Sequence, residues 1–472
     1  MSGGTAMWQR LGSRFLPFAD AASPELPLAR ILRLSLFQVS VGMAAVLLTG
    51  TLNRVMIVEL GMAASLVGAM VALPLVFAPL RALIGHRSDH HRSALGWRRV
   101  PYIWFGSLLQ FGGLAILPFA MLVMSGGAQG PEWIGHAGGA IGFLMVGAGL
   151  HMTQTAGLAL ATDLAPEATR PRVVALLYVM LLGGMLVGAI VIGGLLADFT
   201  PTALVQVIQG AALLGLMLNI VALWKQEPRD RTRAVAARDA AAAPGFGTLF
   251  AKLLAQPRAR RLYCAVALGA AAFAMQDVLL EPYGGAILGL SVAATTSLTA
   301  LWAFGMLGGF ALAARAMGSG ADPIRLGGYG AVAGIGAFAL VLFAAPLGQP
   351  LLLAAGAACI GFGAGLFSVG TLVEAMALAE RDTAGLALGA WGAVQATAAG
   401  VAVATGAIAR DLISAGAVDT RFGATLAHPG TGYGAVYTFE ILLLFGTLVA
   451  LGPLARGREM PSTRFGLGQF PT

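Results

Sequence analysis

Two carboxylates, Asp277 and Glu281, stand one helical turn apart in the run Gln276-Asp277-Val278-Leu279-Leu280-Glu281-Pro282-Tyr283-Gly284-Gly285, which otherwise reads as membrane-spanning helix. Placing an unpaired acid in hydrocarbon costs about 2.5–3.5 kcal/mol on insertion scales, so such residues face a bundle interior and have a partner there. The i, i+4 spacing puts both acids on one helical face. Three chemistries are open to them: an ion pair, a polar contact inside the bundle, or proton uptake. Other polar residues sit in equally apolar surroundings. They are Asn53 and Arg54; His151, Thr153 and Gln154; and Glu374. A neutral His151 can hydrogen-bond within the bundle, or its imidazole can ligate a metal such as the magnesium of a chlorophyll-type macrocycle. Gln154, about one turn on, supports either role.

The elements that position these groups follow from composition. The 472 residues are 58% hydrophobic and 11% charged, with mean hydropathy +0.81, against roughly 25% charged residues in a soluble domain. Each helical span needs about 20 apolar residues. Twelve such runs fit: 34–58, 64–84, 100–124, 137–163, 172–197, 204–224, 262–287, 291–316, 326–346, 350–376, 384–409 and 435–454. The first is too long and too late for a signal peptide. No soluble stretch is long enough for a catalytic domain, and the loops hold no catalytic motif or nucleotide loop, so an enzyme is not expected. All but Arg54, Arg410 and Arg421 of the 29 Lys and Arg fall on one side of this topology. The positive-inside rule makes that side, with both termini, cytoplasmic. The net charge of +8 is therefore spread over short loops, which does not make a nucleic-acid footprint. Cys264 and Cys359 lie inside spans and read as packing residues.

The expected organisation is an amphipathic segment 1–33, a six-helix half 34–224, a basic Ala/Pro-rich linker 225–261, a second half 262–454 and a tail 455–472. In the first segment Trp8, Leu11 and Phe15 share a face with Arg10 and Arg14 off it, as in a helix lying on the membrane surface or docking a partner. The halves echo each other. Gly147-Ala148-Gly149-Leu150 recurs as Gly363-Ala364-Gly365-Leu366, which aligns Thr155 with Thr371. Leu60-Gly61-Met62 is matched by Leu288-Gly289-Leu290. Two parallel six-helix repeats describe the major facilitator architecture. The loop Gly85-His86-Arg87-Ser88-Asp89-His90-His91-Arg92 resembles the loop motif of that superfamily through Gly85, Asp89 and Arg92, although the motif's second glycine is replaced. Its three histidines read as a solvated interfacial loop.

In that architecture spans 1, 4, 7 and 10 line the central cavity, and Asn53, Arg54, His151, Gln154, Asp277, Glu281 and Glu374 sort onto those spans, whereas Gln110, Asn219, Gln395 and Glu440 lie elsewhere. Asp277 and Glu281 are expected on a shared face, with Arg54 pairing one of them across the halves. Gly184-Met185-Leu186-Val187-Gly188 and the other small-residue stripes read first as helix-packing faces. Flat small-residue faces also suit a planar ring or an isoprenoid tail.

The runs Leu32–Leu60, Ser93–Trp104, His151–Pro166 and Gln276–Gly285 resemble the PucC/LhaA family, the bacteriochlorophyll-delivery branch of the major facilitator superfamily. The resemblance covers the chain apart from the termini and the central loop. It implies a factor for assembling the light-harvesting antenna of purple phototrophic bacteria in the inner (intracytoplasmic) membrane, closer to the LH1-type than to the LH2-type member. It further implies light-harvesting alpha and beta polypeptides as partners, contact with the bacteriochlorophyll synthase and insertion machinery and with membrane lipid, and handling of bacteriochlorophyll, with His151 as magnesium ligand. The alternative is a proton-coupled transporter of a small or amphipathic solute, which would use the same acids.

Overall fold

The computed structural model describes residues 21–23, 26–76, 97–126, 131–166, 169–227, 255–377, 384–419, 423 and 426–455. The loop motif Gly85, Asp89 and Arg92, the amphipathic segment around Trp8, most of the linker and nearly all of the tail lie outside them. Twelve helices cover the described residues: α1 Leu28–Glu59, α2 Ala64–Val76, α3 Val100–Met124, α4 Glu132–Leu164, α5 Arg170–Leu195, α6 Pro201–Leu223, α7 Pro257–Ala286, α8 Val292–Gly318, α9 Pro323–Ala344, α10 Pro350–Ala377, α11 Ala384–Val418 and α12 Thr431–Ala455. Eleven are long and apolar enough to cross a membrane, and α2 is described as a shorter apolar helix. One difference from the expected spans matters below. Helix α11 runs to Val418, not 409, and so takes in Arg410 and Asp411.

The packing repeats with a shift of six helices. In the first half α1 packs on α5 and α6, and α3 on α4 and α6; in the second α7 packs on α11 and α12, and α9 on α10 and α12. Between the halves α2 meets α11, and α5 meets α8, one contact being the two-fold image of the other. The chain enters α1 and leaves α12 on the same face of the bundle, here the terminal face; Arg54 lies toward the opposite, distal face.

Glycines that allow backbone contact reveal the register of the repeat. A Cβ on Gly149 would stand 2.5 Å from the Gly106 carbonyl oxygen on α3, and one on Gly363 would stand 2.6 Å from the Gly330 carbonyl oxygen on α9. Gly142 and Gly356 face the matching pairs Gly113/Leu117 and Ala337/Val341. Gly149 is thus the counterpart of Gly363. The sequence match of Gly147 with Gly363, and of Thr155 with Thr371, is two residues out of register, a coincidence made easy by 66 glycines. The other repeat holds. Gly61 and Gly289 both adopt positive φ, 65° and 67°, and the amide two helical turns' reach beyond each helix, Met62 N–H to Met56 O and Leu290 N–H to Gly284 O, closes the same six-residue cap. That left-handed turn favours glycine. It fixes the pairing of α1 with α7 and makes Asn53 the counterpart of Glu281.

Candidate functional site

Two of the four helices that carry candidate polar residues, α1 and α7, are irregular near those residues. Helix α1 widens into π turns at Leu47–Thr51 and Val55–Glu59, on either side of Asn53 and Arg54. Helix α7 breaks into a 3-10 turn at Met275–Val278, holding Gln276 and Asp277, and resumes at Leu280. Such departures from α geometry are often found at functional positions.

Between them lies a polar latch joining the halves. Asn53 Nδ2 donates to the Asp277 carbonyl at 2.8 Å and to the Thr49 carbonyl on its own helix at 2.5 Å. Arg54 Nη2 donates to the Leu290 carbonyl at 3.0 Å. The Thr51 and Thr296 hydroxyls meet at 3.4 Å. Glu281 accepts a hydrogen bond from Thr299 on α8 at 2.5 Å. Two glycines make the approach possible. A Cβ on Gly50 would lie 2.5 Å from Glu281 Oε1, and one on Gly285 would lie 3.0 Å from the Arg54 guanidinium. Each half thus offers a bare backbone to the other's charged side chain. A second contact sits beside the first. Asp411 Oδ2 accepts the Ser65 amide at 2.6 Å, at the start of α2, where a carboxylate is favoured by the helix dipole. Asp411 is held by Arg410 at 2.7 Å, and Arg410 also donates to Tyr433 at 3.0 Å and stacks over its ring at 4.5 Å.

The expected ion pair of Arg54 with Glu281 or Asp277 is not what forms. Arg54 pairs with Glu59, five residues along its own helix. In an α-helix, residues three or four apart are neighbours; the π turn Val55–Glu59, with i→i+5 spacing, brings the fifth into line. Arg54 stays within electrostatic reach of Glu281. The shared face of Asp277 and Glu281 is likewise broken by the 3-10 turn: Asp277 Oδ1 accepts from Gln276 at 2.5 Å, and Glu281 turns to α8. Glu374 lies elsewhere altogether. It is buried toward the terminal end of α10 and takes two hydrogen bonds from Arg258, at 2.8 and 3.2 Å, within its own half. His151 and Gln154 are partly buried on α4, on the stripe begun by Gly147, which faces Pro74 of α2. Cys264 is exposed and Cys359 half-buried.

Sequence reasoning missed Gly50, Ser65, Gly285, Thr296, Thr299 and Asp411. One signal was available: Arg54 and Arg410 were two of the three arginines on the wrong side of the charge distribution, and both belong to the latch. Near the terminal face, two clusters of polar contacts join elements of the first half. Arg98 and Arg99 bind Asp163 at 2.6 and 3.1 Å. Glu227 accepts the amides of Arg98, Arg99 and Val100 at 2.8–3.1 Å, closing the start of α3. The cross-half hydrogen bonds described above, from Thr51, Asn53, Arg54 and Ser65, lie on the distal side.

Twelve helices in two repeats, joined through α1–α7, α2–α11 and α5–α8, define a multi-pass membrane protein of the major facilitator fold. Solved transporters share it: a nucleoside transporter NupG variant aligns with TM-score 0.67 at 15% identity, covering 90% of this chain and 99% of its own. An auto-inhibited POT family peptide transporter aligns at 0.66 and 13%, covering 93% and 99%. At such identity the likeness is one of fold. Within that class the chain belongs to the PUCC protein family, whose profile matches residues 51–459. It is 53% identical to an uncharacterized protein of the puhA-bchM intergenic region of Rhodobacter capsulatus over 98% of both chains. It is 56% identical to the PucC protein of Rhodovulum sulfidophilum over 85% of this chain and 89% of that one.

Proposed function

We propose that this protein is a non-enzymatic assembly factor for the light-harvesting antenna of a phototrophic bacterium. The observation that carries the reading is the family match along nearly the whole chain. The end-to-end match to the relative from the puhA-bchM region favours the core, LH1-type member over the LH2-type. In this reading the protein sits in the inner membrane with both termini cytoplasmic, binds light-harvesting alpha and beta polypeptides laterally, and receives bacteriochlorophyll from the synthase and insertion machinery. His151 supplies an imidazole of the kind that suits the magnesium of the pigment, with Gln154 beside it as a hydrogen-bonding group; both residues are partly buried on α4. The latch supports a scaffold more than a carrier, because Arg54, Arg410 and Asp411 are each held by a neighbouring side chain and by a further group of the fold.

The test is a deletion strain together with the gently purified protein. Deletion is expected to lower assembled LH1 while pigment synthesis continues, and the purified protein to carry short single-span polypeptides and bacteriochlorophyll. His151→Ala should lower the pigment while the polypeptides stay bound. Wild-type antenna levels in the deletion strain would overturn the reading. Solute uptake into pigment-free liposomes, abolished by Asp277→Asn, would replace it with the transporter alternative.

A further inference from the structure

The second half encloses a polar group that packing does not account for. Glu440, on α12, has no exposure; the backbone amide of Gln276 approaches its carboxylate, whose oxygens have no side-chain hydrogen-bond partner among the described residues. One turn earlier Tyr437 is equally enclosed, and its hydroxyl is also unpartnered. The 3-10 turn of α7 that holds Asp277 packs against α12, which brings Asp277 within electrostatic reach of Glu440. Asp277 is only partly buried.

The cations nearby are committed elsewhere. On α11, Arg410 is shared between Asp411 and Tyr433. On α1, Arg54 is paired with Glu59 and faces Glu281. Tyr283 of α7 is bonded to the Val341 carbonyl and the Ala345 amide of α9. The remaining charged groups on the packed helices, Arg325 on α9 and Arg258, Arg260 and Arg261 on α7, lie at the terminal ends of those helices. The described part of α2 and the first π turn of α1 carry no titratable side chain.

Two carboxyls close enough to act on each other, one of them fully enclosed and neither with a counter-ion, do not both ionise. Something positive must complete the group. A hard metal ion takes six or more oxygen ligands; two carboxyls and one hydroxyl are too few. A proton needs one carboxyl oxygen and one acceptor. We propose that Asp277 and Glu440 form a proton-binding site in the second half, the enclosed Glu440 holding the proton and the partly buried Asp277 giving access to it. The site has a mechanical neighbour: the backbone carbonyl of Asp277 is the one Asn53 grips across the halves.

The inference stands apart from the assembly role, and its test needs no antenna. The full-length protein in membranes is treated with dicyclohexylcarbodiimide, an apolar reagent that adds to protonated carboxyls, and the adducts are mapped by peptide mass spectrometry. The expected adduct is on Glu440 or Asp277, several-fold weaker in alkaline buffer and equal in sodium and potassium salts. Glu440→Gln should remove the Glu440 adduct, its folding checked by thermal unfolding, while the result on the unmodified chain stands without any variant. Adducts confined to other acids such as Glu59 and Asp163 would overturn the proposal. So would protection by sodium but not potassium, which would make the site a sodium site.

Discussion

Asn53→Ala is the sharpest perturbation of the latch, because the two hydrogen bonds it removes differ in kind. The bond to the Thr49 carbonyl lies within one helix and is present whether the halves are together or apart, so its loss cancels. The bond to the Asp277 carbonyl at 2.8 Å crosses the halves and exists only when they meet. Losing it leaves a carbonyl in the 3-10 turn without its partner, which costs about 1–3 kcal/mol. That lowers the ratio of closed to open distal faces by about 5- to 150-fold. Arg54→Gln removes the second cross-half donor, to Leu290 at 3.0 Å, and the double variant should move further. The assay is pulsed electron paramagnetic resonance between spin labels at Ala63 and Val418, exposed distal positions on opposite halves, with Cys264 and Cys359 replaced. A longer distance should gain population in each variant. An unchanged distance distribution in the double variant would show that these bonds do not hold the halves together.

Two further perturbations test the packing beneath the latch. In Gly305→Ala the new Cβ would stand 1.9 Å from the Ala358 carbonyl oxygen, so α8 and α10 must separate. Thermal unfolding should report a loss of about 1–3 kcal/mol, whereas Gly336→Ala, with nothing within 4 Å, should stay near the parent. Glu227→Ala removes the acceptor of three amides at the start of α3. It should cost about 1–2 kcal/mol, read as a lower apparent melting temperature, with Glu227→Gln falling between the two.

The spans were legible because hydropathy over some 20 residues is a strong signal, and the Leu-Gly pairs at 60 and 288 were legible because a left-handed helix cap favours glycine. The register of α4 on α10 was not. Among so many glycines and alanines a four-residue match carries little information, and the true alignment is set by which carbonyl each glycine admits. Of the site, the positions of Asn53, Arg54, Asp277 and Glu281 could be read, but not their partners. A sequence read at 3.6 residues per turn places Glu59 off the Arg54 face and Glu281 under Asp277; the π turn and the 3-10 turn reverse both. Asp411 was hidden by an underestimated end of α11.

These irregular turns also bear on what the acids are for. Had Arg54 paired with Glu281, closing the halves would have been one ion pair, broken by anything that neutralised either side. Instead Arg54 carries its own counter-ion on α1 and reaches across only to a carbonyl, as Asn53 does. Apart from the Asp411 contact at the start of α2 and the Thr51–Thr296 contact with α8, the cross-half bonds at the latch therefore depend on the backbone path of α7 and the turn after it more than on the charge of its side chains. Glu281, tied to Thr299, braces α7 against α8 inside the second half. That leaves Asp277 as the residue whose side chain faces an enclosed acid while its carbonyl faces the other half. If the distal face ever opens, the 3-10 turn around Asp277 is where a change in the second half would reach the first.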